Sequence, residues 1–115
     1  MKQIKVKIQG VELEAALLSP KVMNQFNDGL KQVANKAYAS KDLSDSATAI
    51  EAQCNAVIYF VDDIFGTGSA KKIFGDETDL LTCLDAFEEL SQLYEKQVNP
   101  ILKEYSNRAM QRLKG

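Results

Sequence analysis

The chain has 115 residues, of which 45% are apolar, and a formal net charge of −2. This length supplies one modest hydrophobic core and is too short for two ordinary domains, so we predict a single domain over residues 1–115. The sequence has no histidine, and its two cysteines, Cys54 and Cys83, do not have the C-x-x-C spacing of a zinc site. We therefore expect no metal and no cofactor, and two buried thiols.

Apolar runs in the sequence are short. The N-terminus, "MKQIKVKIQG", alternates lysines with aliphatic residues and lacks the apolar stretch of a signal peptide. The densest apolar run, "AVIYFV" at 56–61, is far below the roughly 20 residues that a membrane-spanning helix needs. These features predict a soluble cytoplasmic protein.

Charge is unevenly distributed along the chain. Residues 1–41, 42–95 and 96–115 carry net charges of +4, −10 and +4. One interpretation is that the acidic middle forms solvated helix faces. The other is that copies of the chain meet head to tail, or that a basic partner docks on the middle segment.

Residues 1–17 predict a β-hairpin, because apolar and charged residues alternate on both sides of Gln9 and Gly10. A turn at these two residues, or a bulged variant of it, would connect the strands. We expect the outer strand edges to remain open to another strand. The predicted register places these residues opposite each other: Val6 and Leu13, Lys5 and Glu14, Lys7 and Glu12.

Three longer segments have apolar residues at helical spacing. The first is residues 20–39, with Ser19 as N-cap and Gly29 as a locally weakening residue. After a polar linker at 40–46, the second covers about 45–65. The third begins near Thr78 as N-cap, and Pro100 predicts a kink or break between residues 98 and 101 before a basic helix or tail at 101–115. The fold class is α+β, mostly α: an N-terminal hairpin packed on three main helices and one short helix.

The stretch "IFGTGSAKKIFG" at 64–75 contains the ingredients of a phosphate-binding loop. It lacks both the spacing and the preceding strand that a Walker loop or a dinucleotide-binding fingerprint requires. We interpret it as a series of helix ends and caps: Gly66 ends the second helix, Ser69 N-caps a short helix, and Gly75 ends that helix.

No set of catalytic residues is visible. Histidine, the commonest general base, is absent from the sequence. The carboxylates of the adjacent pairs Asp62-Asp63 and Glu88-Glu89 would point in different directions from a helix. We predict a non-enzymatic protein. The C-terminal basic residues leave a small regulatory or nucleic-acid-associated protein as an alternative function, although Tyr105 is the one aromatic residue interleaved with them.

The run "VDDIFGTGSAKKIFGD", followed by "CLDAFEELSQLYEK" and "EYSNRAMQR", resembles small proteins encoded among the tail genes of phages and prophages of Gram-positive bacteria. The resemblance covers about residues 54–112. It departs at residues 106–107, where Ser and Asn adjoin without an intervening proline, and at the shorter, less basic C-terminus. It implies a tail assembly chaperone in the bacterial host cytoplasm that self-associates and binds the tape-measure protein.

Residues at turns and on the basic C-terminal segment are candidate contacts for that partner, with burial in the core as the alternative. Among them, the C-terminal residues are favoured over the others. The candidate partner-binding residues are Phe74, Tyr94, Tyr105, Arg108, Met110 and Arg112.

Overall fold

A computed structural model of the chain describes residues 1–40 and 46–114. Two short strands precede a series of helices, which confirms the α+β, mostly α fold class. The linker predicted at 40–46 lies almost entirely outside the described residues. The elements are β1 (Ile4–Ile8), β2 (Val11–Ala15), α1 (Pro20–Ser40), α2 (Ser46–Phe65), α3 (Ser69–Phe74), α4 (Leu80–Ser91), a π-helical segment (Tyr94–Val98) and α5 (Asn99–Lys114).

The hairpin has the predicted antiparallel register, including Val6 opposite Leu13 and Lys5 opposite Glu14. Both turn residues have positive φ, 51° at Gln9 and 76° at Gly10, as a two-residue type I′ turn requires. The turn therefore contains no bulge. The apolar face of the hairpin is buried and the charged face is exposed. This is the alternation from which the strands were predicted.

The edge of β1 is partly covered, whereas we expected the outer strand edges to be open. The side-chain amide of Gln97 accepts a hydrogen bond from Lys7 N–H at 2.8 Å and donates one to Lys7 C=O at 2.9 Å. The Glu89 carboxylate accepts hydrogen bonds from the Gln9 backbone N–H at 2.7 Å and from its side-chain amide at 3.1 Å. Gln97 and Glu89 thus occupy the backbone groups at the turn end of the β1 edge, which a second strand would otherwise use.

Phe26 of α1 lies at the centre of the core and is 1% exposed. Its ring makes edge-to-face contacts with Phe60 at 5.1 Å and with Tyr94 at 5.0 Å. Tyr94 also donates a 2.7 Å hydrogen bond to Leu17 C=O. These contacts join α1, α2, the π-helical segment and the end of the hairpin.

The glycines at 66–75 mark helix ends, as predicted, but the N-cap of α3 is not the predicted residue. Three glycines with positive φ lie at these helix boundaries. Gly66 follows the end of α2, Gly68 precedes α3, and Gly75 follows the end of α3. Ser69 is not the N-cap: its hydroxyl donates to Phe65 C=O, and the carboxylate of Asp62 accepts the Ala70 N–H at 2.8 Å. Asp62 is therefore a structural acceptor rather than a solvated carboxylate.

Two further predictions, the N-cap of α4 and a possible break in the helix at Pro100, differ from the structure. Asp79, not Thr78, is the N-cap of α4, because its carboxylate accepts the Thr82 N–H at 2.8 Å. Hydrogen bonds from Thr82 hold the pKa of Asp79 below its ordinary value. Pro100 does not break the helix; the irregularity is the wider π-helical turn just before it, where Asn99 N–H bonds to Tyr94 C=O.

Candidate functional site

Helix α5 leaves the body of the protein. Every side chain from Leu102 to Leu113 is exposed, and the molecule is elongated, measuring 64 × 25 × 21 Å. With 16 residues, α5 is roughly 24 Å long. A helix at this position needs another molecule to bury an apolar side.

Such an apolar side exists on α5. Four of its members recur at intervals of three and four residues, and Met110, next to Ala109, widens the side of the helix that they share. The exposure of these side chains rises along the helix, from 45% at Leu102 to 83% at Leu113. We call this surface the α5 face; it comprises Leu102, Tyr105, Ala109, Met110 and Leu113.

Two cations lie near the ring of Tyr105, toward the N-terminal end of the α5 face. Lys2 Nζ lies 5.4 Å and Arg108 Cζ 5.2 Å from the centroid of its ring. Arg108 also forms a 2.7 Å ion pair with Glu104 one turn away. These contacts hold the ring while leaving the residue 49% exposed.

An apolar groove continues the α5 face toward the body of the protein. It has a volume of about 460 Å³ and lies between α5, the N-terminus and the connection from β2 to α1. Leu102 and Tyr105 belong to both the groove and the α5 face. The main side chains that line it besides these two are Met1, Ile4, Leu18 and Pro20.

The structure separates the six candidate partner-binding residues into two groups. Tyr105, Arg108, Met110 and Arg112 are exposed together on α5. Phe74 is buried in the core. Tyr94 is half-buried, bonded through its hydroxyl and packed on Phe26, and burial raises its pKa. Neither Phe74 nor Tyr94 offers its ring to a partner in this conformation.

Leu102 and Leu113 were missed as members of this surface. Their spacing from Tyr105 and Ala109 is visible in the sequence, but apolar residues at helical spacing usually indicate core. These residues are exposed because most of α5 extends away from the rest of the protein, and this direction is set by the helix that precedes it. Lys2 was missed because its contact with Tyr105 spans almost the whole chain.

Cys54 and Cys83 are free, buried thiols, as predicted. Burial raises the pKa of Cys54 from 9.0 to about 12, with smaller contributions from the neighbouring Cys83 thiol and from Asp79. A thiol in this state is protonated and poorly nucleophilic at neutral pH. Over residues 1–40 and 46–114, no three cysteine or carboxylate side chains come together in a way that could hold a metal ion.

Comparison with protein-family models places residues 9–115 in one family. The chain belongs to a family of unknown function, DUF6673. The matched region runs from the hairpin turn through all the helices, so it includes α5. No curated protein and no solved structure matches the chain. None of the helices in the described part of the chain is long and apolar enough to cross a membrane.

Proposed function

We propose that this protein is a non-enzymatic assembly factor of the tail-chaperone type, which self-associates and holds a tail protein of a phage or prophage. The tape-measure protein is the partner that the sequence resemblance implies. The bacterial host cytoplasm is the site of action in this proposal.

The exposed amphipathic helix α5 is the observation that carries the proposal. Apolar side chains are exposed singly on most proteins, but here five share one side of a helix that extends away from the core. A second amphipathic helix laid along the α5 face would bury both apolar sides. Tape-measure chains, which are long and helical, would provide such segments.

Charge narrows the kind of segment that fits. The last 20 residues carry a net charge of +4, and Arg112 has no ion-pair partner among the residues described. A helical segment with an apolar stripe and acidic flanks therefore complements the α5 face. The edge of β1 is a weaker attachment point than the α5 face, because Gln97 and Glu89 bond to backbone groups at its turn end.

Co-purification with fragments of the tape-measure protein from the same phage or prophage tests the proposal. We expect the wild-type chain to retain and solubilise at least one helical fragment, and the variant Tyr105→Ser/Leu113→Ser to bind it on the order of 30-fold more weakly, as at an interface hot spot. The matched control is Asn107→Ala/Gln111→Ala, on the opposite side of α5. Retention of every fragment by the Tyr105→Ser/Leu113→Ser variant, or of none by the wild type, would contradict the proposal.

The same preparations distinguish nucleic-acid binding. Arg108 is already paired with Glu104 and stacked on Tyr105, which leaves less charge free for phosphates. We therefore expect no shift of a labelled duplex or single strand at low salt. A shift that Arg108→Ala/Arg112→Ala abolishes would favour the alternative function.

A further inference from the structure

A second exposed apolar surface lies on α4. Leu81 is 74% exposed and Leu84 is 42% exposed, and both lie on the side of α4 that points away from the core. Asp85 and Glu88 share this side at helical spacing and are also exposed. Leu81, Leu84, Asp85 and Glu88 form what we call the α4 outer face.

The α4 outer face and the α5 face complement each other in charge. Both carry exposed apolar side chains, but the charges beside them are carboxylates on the first and the guanidinium groups of Arg108 and Arg112 on the second. Arg108 is paired with Glu104, and Arg112 has no ion-pair partner among the residues described. Neither Asp85 nor Glu88 has an ion-pair partner in the described part of the chain. The same contrast exists in the sequence, where the middle segment has a net charge of −10 and the last segment +4.

One copy of the chain cannot bring its own two faces together. Residues 93–114 continue as helix through the π-helical segment, and the only interruption after α4 is a single turn residue, Gln92. No loop reverses the chain between α4 and α5, and the length of the molecule, 64 Å, reflects this extended course. The α5 face can therefore reach an α4 outer face only on another copy.

We propose that the α5 face of one copy docks on the α4 outer face of the next. Because the two surfaces are different, the contact is head to tail: the first copy keeps a free α4 outer face, and the second keeps a free α5 face. Copies would add until a ring closes or a short filament forms. The proposal rests on the proposed function only in treating the α5 face as a binding surface; it makes the tail segment and the next copy competitors for that face.

Two surface variants test this contact in the absence of any tail protein. The variant Leu84→Lys/Glu88→Lys disables the α4 outer face, and Tyr105→Ser/Arg112→Glu disables the α5 face. All four positions are at the surface, and circular dichroism checks that helix content is kept. Light scattering behind size-exclusion chromatography then gives the mass of the wild type, of each variant and of their equimolar mixture.

We expect a wild-type multimer that grows with concentration and weakens with salt, since charges flank the contact. Each variant alone should be monomeric, and the mixture should stop at a one-to-one dimer, because the intact α5 face of one variant meets the intact α4 outer face of the other. A monomeric wild type, a variant that alone retains the wild-type mass, or a mixture that stays monomeric would overturn the inference. A monomeric wild type would also remove the self-association from the proposed function. The binding of tape-measure fragments is measured independently, so this contact and the holding of a tail protein can fail separately.

Discussion

Gly29 shows how one residue sets the distance between two helices. A Cβ atom at this position would overlap the ring of Phe60 on α2. That ring is 3% exposed and is held edge-to-face against Phe26, so it has little room to move. The close approach of α1 and α2 therefore depends on the absence of a side chain at residue 29.

We expect Gly29→Ala to destabilise the protein by about 1–3 kcal/mol, as overpacking of a core does. The sign is informative, because alanine favours a helix by up to about 1 kcal/mol over glycine in the absence of a clash. Urea unfolding followed by circular dichroism measures the change. Asn27→Ala, at an exposed position on the same helix, is the matched control, and equal or increased stability of Gly29→Ala would show that the helices can separate freely.

Single residues also mark the limit of sequence reasoning at this scale. From the sequence, Gly29 predicted a locally weakened helix. Nothing in the sequence indicates that the ring of Phe60 fills the space where a side chain at residue 29 would lie. Likewise, Asp62 and Glu89 had the pattern of solvated helix residues, yet each accepts backbone hydrogen bonds from another element. Such roles depend on long-range geometry, which periodicity does not encode.

At the scale of elements, the π-helical segment protects the hairpin. Gln97 lies on this segment and bonds to both backbone groups of Lys7, which would otherwise form an open edge of β1. An open edge invites pairing with strands from other molecules. The segment therefore acts as a cover as well as a connection to α5.

We expect Gln97→Ala to cost about 0.5–1.5 kcal/mol, because the exposed backbone groups of Lys7 can bond to water instead. The amide of Lys7 should exchange faster with solvent, which NMR hydrogen exchange resolves residue by residue. Gln97→Glu should have an intermediate effect, since a carboxylate can accept from the N–H but cannot donate to the C=O. Unchanged exchange at Lys7 in Gln97→Ala, relative to the exposed-site control Lys96→Ala, would contradict this role.

Elements with a strong local pattern were predictable from the sequence. The hairpin register follows from strict alternation around a turn at Gln9 and Gly10, and α1 and α2 follow from apolar spacing with Pro20 and Gly66 at their ends. Caps were less predictable, because Asp79 and Thr78 both satisfy the same pattern and Asp62 acts from the preceding helix. Of the two outcomes predicted at Pro100, a kink or a break, the break was wrong, since helix continues through the proline after a π-helical turn.

For the whole molecule, the direction of α5 matters more than its composition. The same apolar residues on a helix folded against the body would be core. Because α5 instead continues outward from the π-helical segment, its apolar side remains exposed together with Arg112. The basic C-terminus was identified in the sequence as a candidate contact region, but the extent of the α5 face became visible only with the fold.

The central claim is that the α5 face is the surface that holds a helical partner. Hydrogen exchange measured by mass spectrometry, on the chain at low concentration with and without a tape-measure fragment that co-purifies with it, tests this most directly. We expect the amides of residues 106–113 to exchange quickly in the free chain, where the side chains of this part of α5 are exposed, and to be protected in the complex. Protection confined to other elements, with exchange in α5 unchanged, would contradict the claim.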